Sequence, residues 1–329
     1  MNTLSRRAIT GAIASLSAAG ALPGMALAAK PAPPVITPPA PAKPPAPPLE
    51  VVALDDGTQL HYVTDGLGAA VIFVHGSLSD YTYWNDQFLP FAERYRFFAY
   101  SRRYNWPNDN PPLKRGYSAI TDAADLAGFI TKLNLGPAHI VGHSYGALTA
   151  LILAIQRPDL IHTLTLAEPP AVTLLKQLPP DQAKAGAALY ADIEKNMVAP
   201  MRAAFTKGKR DVGVAAFINY VHADPGAWEK FTDAQKAETL KDAHEWDVML
   251  PTGVLFPDFT TAQVAAIKTP TLILSGAKSY PFLGTIDAEI ARLLPSAKHI
   301  VFPNATHQMW LEEPDLCRAA VVQLIDAKH

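Results

Sequence analysis

The stretch Gly142-His143-Ser144-Tyr145-Gly146 decides the fold, because it sets a serine between two glycines at the junction of two apolar segments. The run Ala138-His139-Ile140-Val141 before it predicts a strand, and residues 147–156 after it predict a helix that is apolar nearly all round. A nucleophile elbow holds its serine in a strained strand-to-helix turn, and flanking glycines let the strand and the helix pack closely. The stretch therefore predicts a nucleophilic Ser144 on an element buried against a sheet.

Short apolar runs elsewhere in the chain alternate with helical patterns. Residues 49–54 and 58–64, around the turn Asp55-Asp56-Gly57, predict a hairpin. Further strands are predicted at residues 70–74, 97–100, 139–141, 164–167, 271–275 and 299–302. Ser118 predicts the start of a helix that ends by Gly136-Pro137. This alternation predicts an α/β fold with a doubly wound, mostly parallel sheet.

Between Pro169 and Lys268 the strand pattern disappears and amphipathic helical stretches take its place. Their large apolar side chains are Met197, Met201, Phe205, Phe217, Trp228 and Trp246. We predict that residues 170–268 form a helical cap, inserted over the catalytic end of a core made of residues 49–169 and 269–329.

The N-terminal residues have the composition of an export signal. Arg6-Arg7, a mildly apolar stretch and Ala26-Leu27-Ala28 follow one another as in a twin-arginine signal peptide. Residues 1–28 are therefore predicted to be removed and the protein to be periplasmic or secreted. The alternative is a membrane anchor, but Pro23-Gly24 breaks the short apolar stretch, so no stable membrane span is expected after cleavage. Residues 29–48, which include ten of the thirty prolines, predict an extended Pro/Ala-rich linker.

Charge and composition narrow the classes of ligand. The formal net charge is −2 and the body of the chain has no Lys/Arg block, which argues against a nucleic-acid partner. Cys317 is the single cysteine, so no disulfide can form within the chain. The sequence contains no metal-ligand spacing, phosphate-cradling loop or nucleotide fingerprint, and we predict neither a metal nor a cofactor. A small molecule that is not strongly ionic is the expected partner, and the sequence does not indicate the oligomeric state.

Several of these features together resemble the α/β-hydrolase fold family over about residues 49–329. They are the strand order, the His75-Gly76 pair after the third strand, the elbow, the helical insertion and a histidine near the C-terminus. A serine hydroxyl is hardly ionised at neutral pH, so it needs a base and a carboxylate that orients the base. The resemblance implies the chain order Ser, acid, His, and it places the base at His307, directly after the last predicted strand.

The position of the acid follows from a departure from the commonest family pattern. That pattern has an aspartate after the strand at residues 271–275, where this chain has Ser279. Some family members carry the acid after the strand that follows the elbow helix, and Glu168 stands there. We therefore predict a triad of Ser144, His307 and Glu168, with Asp258 or Asp287 as the alternative acid.

The resemblance also implies an oxyanion hole made by the backbone amides of Ser77 and Tyr145, since fixed N–H donors stabilise the developing negative charge. The segment Ser101-Arg102-Arg103-Tyr104-Asn105 departs from the glycine-rich loop of many relatives. Its arginines are expected to hold loops by ion pairing rather than to bind substrate.

A serine at the elbow excludes relatives that attack through an aspartate, and it leaves acyl transfer as the expected chemistry. The leading hypothesis is a hydrolase of carboxylic esters, an esterase or lactonase, acting through an acyl-enzyme on Ser144. The aromatic and Met-rich cap favours a small ester or lactone with an apolar or aromatic group. The alternatives are hydrolysis of a carbon-carbon bond, cofactor-free perhydrolysis with the same triad, and a ligand-binding member of the fold without catalysis.

Overall fold

The computed structural model describes residues 47–113 and 116–328. The predicted signal peptide and all but the last two residues of the predicted linker lie outside the described residues. Within the described part of the chain, no helix is both long enough and apolar enough to cross a membrane.

One sheet runs through the described part of the chain. Its strands are β1 (Glu50–Ala53), β2 (Gln59–Asp65), β3 (Ala70–Val74), β4 (Arg96–Tyr100), β5 (Ala138–His143), β6 (Ile161–Ala167), β7 (Thr271–Gly276) and β8 (Lys298–Phe302). They lie in the order β1-β2-β4-β3-β5-β6-β7-β8. The first two strands are antiparallel to their neighbours, and β4, β3, β5, β6, β7 and β8 are parallel to one another. The predicted fold class, with a doubly wound and mostly parallel sheet, is confirmed.

The helices of the core layers are α1 (Asn85–Ala92), α2 (Ala119–Lys132) and α3 (Tyr145–Gln156) before the insertion, and α10 (Pro281–Leu293), α11 (Met309–Glu312) and α12 (Pro314–Asp326) after it. Between β6 and β7 the described chain is helical, with α4 (Ala183–Ile193), α5 (Ala199–Phe205), α6 (Arg210–Val221), α7 (Asp233–Lys241), α8 (His244–Thr252) and α9 (Thr261–Ala265). Shorter helical turns lie at Tyr81–Trp84, Pro158–Leu160, Val172–Gln177, Glu194–Val198 and Trp228–Lys230.

The sheet separates two apolar cores. In β3, Ile72 and Val74 belong to the core that includes the buried faces of α2, α3 and the helices between β6 and β7, whereas Val71 and Phe73 belong to the core with α1 and α12. Successive side chains of a strand point to opposite faces, so a strand that is apolar throughout serves both cores at once. This packing holds the carboxyl ends of the central strands β3, β5 and β6 side by side at one end of the sheet.

The first residues of α2 and α12, two helices next to the sheet, explain where these helices begin. The hydroxyl of Ser118 accepts a hydrogen bond from the backbone N–H of Ile120 at 3.3 Å and caps α2, as the sequence predicts. The segment after β8 forms two helices. Met309–Glu312 forms a separate short helix, and α12 begins at Pro314, where a proline suits the first helical turn.

Candidate active site

Ser144 lies in a sharp turn between β5 and α3. Its backbone has φ 53° and ψ −123°, a conformation that L-residues other than glycine rarely adopt. The turn is held because Ser144 N donates to Ala167 O at 2.8 Å, which links the ends of β5 and β6. A Cβ on Gly142 would lie 2.6 Å from Ala147 Cα, and one on Gly146 would lie 2.2 Å from Val74 O. The two glycines therefore permit the close approach that the turn requires.

A Gly146→Ala substitution is expected to lower the free energy of unfolding by about 3 kcal/mol, because the new methyl group overlaps backbone oxygens that cannot rotate away. Urea denaturation followed by circular dichroism measures the effect. Gly284→Ala is the matched control, since a Cβ at that position of α10 would have no atom within 4 Å apart from its chain neighbours and its own helix backbone. The control is expected to raise stability by about 0.5–1 kcal/mol. Equal effects of the two substitutions would contradict the packing argument.

His307 and Glu168 are directly hydrogen bonded. His307 Nδ1 donates to Glu168 Oε2 at 2.5 Å, and the side chain of Glu168 is fully buried. Glu168 follows β6 and has φ 49°, so both it and Ser144 are held in left-handed backbone conformations at neighbouring strand ends. Because Nδ1 carries the donated proton, Nε2 of the neutral ring is left as the proton acceptor.

Two residues of the β7 end hold the carboxylate of Glu168. Ser279 Oγ donates to Glu168 Oε2 at 2.7 Å, and Gly276 N donates to Glu168 Oε1 at 2.7 Å. A Cβ on Gly276 would lie 2.5 Å from Thr306 O, so the glycine lets the loop that carries His307 approach β7. The serine that stands at the family's commonest aspartate position is thus a hydrogen-bond donor to the buried carboxylate.

His143 supports the loop of His307 from inside the elbow. Its Nε2 donates to the backbone oxygen of His307 at 2.8 Å, and its ring stacks on Tyr83 at a centroid distance of 5.2 Å. Burial, together with the nearby His307, lowers the pKa of His143 well below its usual value, so the ring is neutral. Sequence reasoning missed this role, and its only local signal is the position of His143 directly before Ser144.

Ser77 and Tyr145, the two predicted oxyanion donors, line the same cavity as Ser144. Tyr145 is the first residue of α3, and N–H groups in the first turn of a helix have no partner within the helix. Ser77 follows Gly76, at which a Cβ would lie 3.0 Å from Ser144 Cβ. The His75-Gly76 pair therefore brings the Ser77 peptide against the elbow.

One cavity is lined by Ser77, Ser144, Tyr145 and His307 together. Its other walls are apolar and come mostly from the residues between β6 and β7: Pro170, Met197, Met201, Phe217, Val221, Trp246, Leu255 and Phe256. Tyr280, Phe282 and Leu283 complete it from α10 and the residue before it. The predicted cap residues Phe205 and Trp228 are buried in the apolar core instead, and Phe205 packs edge-on against Trp246. The structure thus brings all five predicted site residues together.

The two alternative acids lie elsewhere. The Asp258 side chain is 79% exposed and pairs with Lys176 at 3.1 Å. Asp287 is fully buried in α10 and accepts a hydrogen bond from Ser275 Oγ at 2.6 Å, and Ser275 Oγ in turn contacts His299 Nε2 at 2.8 Å. His307 Nδ1 is bonded to Glu168 and not to either aspartate.

Asp287→Asn is expected to raise the free energy of unfolding at pH 7, by on the order of 1 kcal/mol. Burial raises the pKa of Asp287 well above its usual value, and the nearby Glu168 adds to the effect. The folded protein therefore binds more protons than the unfolded chain above about pH 4, and the stability of the wild type falls as the pH rises through that range. In urea denaturation between pH 4 and pH 8, the increase in the free energy of unfolding caused by Asp287→Asn should shrink towards pH 4. A gain independent of pH would contradict this account.

The sequence profile of the alpha/beta hydrolase family matches residues 71–320. A 2-(acetamidomethylene)succinate hydrolase of Mesorhizobium japonicum is 27% identical over 265 residues, which are 80% of this chain and 90% of that protein. An sn-1-specific diacylglycerol lipase, ABHD11, of Mus musculus is 26% identical over 276 residues, 78% of this chain and 80% of that protein.

Solved structures agree with this match. A thermophilic esterase from Thermogutta terrifontis has a TM-score of 0.62 at 20% identity, over 86% of this chain and 99% of that one. At such identity, the likeness establishes the fold alone. Because the family profile spans well over half of the sequence, the chain belongs to the alpha/beta hydrolase family.

Proposed function

We propose that the protein is a serine hydrolase that cleaves a carboxylic ester or a lactone through a covalent acyl-enzyme on Ser144. One observation carries the proposal: the strained elbow serine shares a cavity with His307, whose Nδ1 lies 2.5 Å from the buried carboxylate of Glu168. A nucleophile, a base and a carboxylate that orients the base are the three groups that acyl transfer requires.

In the first half of the reaction, Ser144 Oγ attacks the carbonyl carbon of the substrate and His307 Nε2 takes its proton. The negative charge of Glu168 stabilises the imidazolium that forms and keeps the ring oriented through Nδ1. The backbone amides of Ser77 and Tyr145 donate to the oxyanion of the tetrahedral intermediate. His307 then gives its proton to the leaving alkoxide, and Ser144 carries the acyl group.

In the second half, His307 takes a proton from water, which attacks the acyl-enzyme. As the bond between the acyl carbon and Ser144 Oγ breaks and the acid leaves, His307 returns the proton to Ser144 Oγ. The elbow is strained in the free protein, so no reorganisation is needed to present Ser144 Oγ. When the substrate is a lactone, alcohol and acid remain joined and leave as one hydroxy acid.

The cavity walls support a substrate with an apolar or aromatic group. The cavity-lining side chains from residues 170–268 carry no charge, and they include Trp246, Phe217 and two methionines. Methionines adapt to irregular shapes, while the aromatic rings favour flat or branched apolar groups. The fold is shared with the esterase among the structural neighbours. It is also shared with an enol-lactonase from Burkholderia xenovorans, which has a TM-score of 0.54 and 19% identity over 84% of this chain and 100% of that one.

A panel of substrates tests the proposal. Wild-type protein should hydrolyse p-nitrophenyl esters of short and aromatic acids, or aromatic lactones, and should form a covalent adduct at Ser144 with a fluorophosphonate. The panel includes a vinylogous 1,5-diketone for carbon-carbon cleavage, and acetate with hydrogen peroxide for perhydrolysis. Turnover of the diketone alone would move the reaction class to carbon-carbon hydrolysis with the same residues. Absence of both turnover and adduct would leave a ligand-binding protein.

A further inference from the structure

Arg102 is a fully buried cation next to the candidate oxyanion loop. Its side chain has no exposed surface and forms ion pairs with Asp122 at 2.8 Å and with Glu245 at 2.5 Å. The same guanidinium donates to two backbone carbonyls, His75 O at 3.3 Å and Gly76 O at 3.0 Å. Ion pairing by this segment was expected from the sequence, but its contact with the His75-Gly76 loop was not.

The carbonyl of Gly76 belongs to the same peptide unit as the N–H of Ser77. It accepts two hydrogen bonds, from Arg102 Nη2 at 3.0 Å and from His75 Nδ1 at 2.8 Å. His75 is held in turn, because its Nε2 accepts from the backbone N–H of Arg102 at 3.0 Å. A trans peptide unit is planar and its N–H points opposite to its C=O, so fixing the carbonyl direction also fixes the N–H direction.

We propose that Arg102 is a positioning residue for the oxyanion hole: by holding Gly76 O, it aims the backbone N–H of Ser77 at the site where the oxyanion forms. This inference rests on the proposed function, because it gives the Ser77 amide its role in ester cleavage. A donor with full positive charge on the carbonyl also polarises the peptide unit, which strengthens the N–H on its other side as a donor.

Glu245 secures the other side of the same loop from the cap helix α8. Its Oε2 pairs with Arg102, and its Oε1 accepts from the backbone N–H of Leu78 at 2.9 Å. The peptide units on both sides of Ser77 are therefore bonded to one buried ion pair. Trp246, the next residue of α8, lines the cavity, so the same turn of helix contacts both the substrate space and the oxyanion loop.

The charge of Arg102 is permanent in this environment. Burial by itself lowers the pKa of the guanidinium, but Glu245 and Asp122 outweigh burial and hold the pKa well above its usual value. A lysine could keep the charge but not the geometry, because one ammonium group cannot reach both carboxylates and the two loop carbonyls at once. The planar fork of arginine is thus required by the number and direction of the acceptors.

Arg102→Lys tests the inference, with Arg103→Lys as the matched control. Arg103 is also nearly buried and also pairs with two carboxylates, Asp125 and Asp56, but its bonds lie away from the loop. Both variants are assayed with the p-nitrophenyl ester that the wild type cleaves best, and kcat is normalised to active sites titrated with a fluorophosphonate. We expect Arg102→Lys to lower kcat about a hundredfold and to change KM less than about threefold. Arg103→Lys should keep kcat within about threefold.

A trifluoromethyl ketone gives a second readout, since its adduct with Ser144 places an oxyanion in the hole. Its inhibition constant should rise in Arg102→Lys by about the factor by which kcat/KM falls. A normal kcat and a normal inhibition constant in this variant would overturn the inference. If the variant does not fold, Glu245→Gln decides, because it removes one anchor of the loop: a kcat within about threefold of wild type then overturns it. Wild-type protein without turnover and without a Ser144 adduct would overturn the proposed function and this inference together.

Discussion

Glu168→Ala is expected to lower kcat by about 10⁴-fold with little change in KM, because the imidazole of His307 loses both its orientation and its counter-charge. The buried carboxylate is not among the residues that line the cavity, so substrate binding should be spared. Steady-state kinetics with the preferred p-nitrophenyl ester measures both constants. Asp258→Ala and Asp287→Asn are the comparison variants and should keep kcat within about tenfold of wild type. The reverse ranking would show that another carboxylate serves as the acid.

The position of Ser279 allows a rescue experiment. Ser279 Oγ lies 2.7 Å from the carboxylate oxygen that His307 contacts, so an aspartate there can reach the same ring nitrogen. The double variant Glu168→Ala/Ser279→Asp is expected to regain at least about tenfold in kcat over Glu168→Ala alone. Ser279→Ala, which removes one hydrogen bond but no charge, should lose less than about tenfold. Failure of the double variant to exceed Glu168→Ala would place residue 279 outside reach of the base.

Ser144→Ala should lower kcat by on the order of 10⁶-fold, since no acyl-enzyme can form and only the remaining site stabilises a direct attack by water. The variant should bind substrate as the wild type does and should no longer react with a fluorophosphonate. Intact-protein mass spectrometry detects the adduct, and single-turnover kinetics measures the residual rate.

Ser118→Ala is the matched serine control for this experiment. Ser118 caps α2 and its removal should cost about 1 kcal/mol of stability without affecting labelling. A normal adduct in Ser144→Ala would move the nucleophile to another serine and would contradict the elbow interpretation.

The fold was largely predictable because its signals are local. Five of the six parallel strands are short apolar runs that are largely buried on both faces, and each could be recognised without knowledge of its partner. The edge strand β8 is partly exposed. The elbow was recognisable from the local pattern of two glycines around Ser144. The contacts that exclude a Cβ at Gly142 come from the turn itself, whereas those at Gly146 come from the end of β3.

The supporting contacts of the site could not be predicted, because they join residues far apart in the chain. Arg102 and Glu245 are 143 residues apart, and nothing in either neighbourhood specifies the other. His143 reaches a backbone oxygen 164 residues away, and backbone groups carry no sequence signal. Glu168 was found for a different reason: Ser279 occupies the expected place of an acid, and that substitution is visible in the sequence.

Ser279 and Glu168 share one hydrogen-bonded site, although they follow different strands. Because the two positions are adjacent, the acid of the triad could shift from one strand to the other during evolution while His307 stays in place. A descendant with Asp at position 279 would hold two carboxylates within hydrogen-bond distance, and such a pair shares a proton rather than carrying two charges. One negative charge would stay beside His307 throughout, so either carboxylate could then be lost without an inactive intermediate.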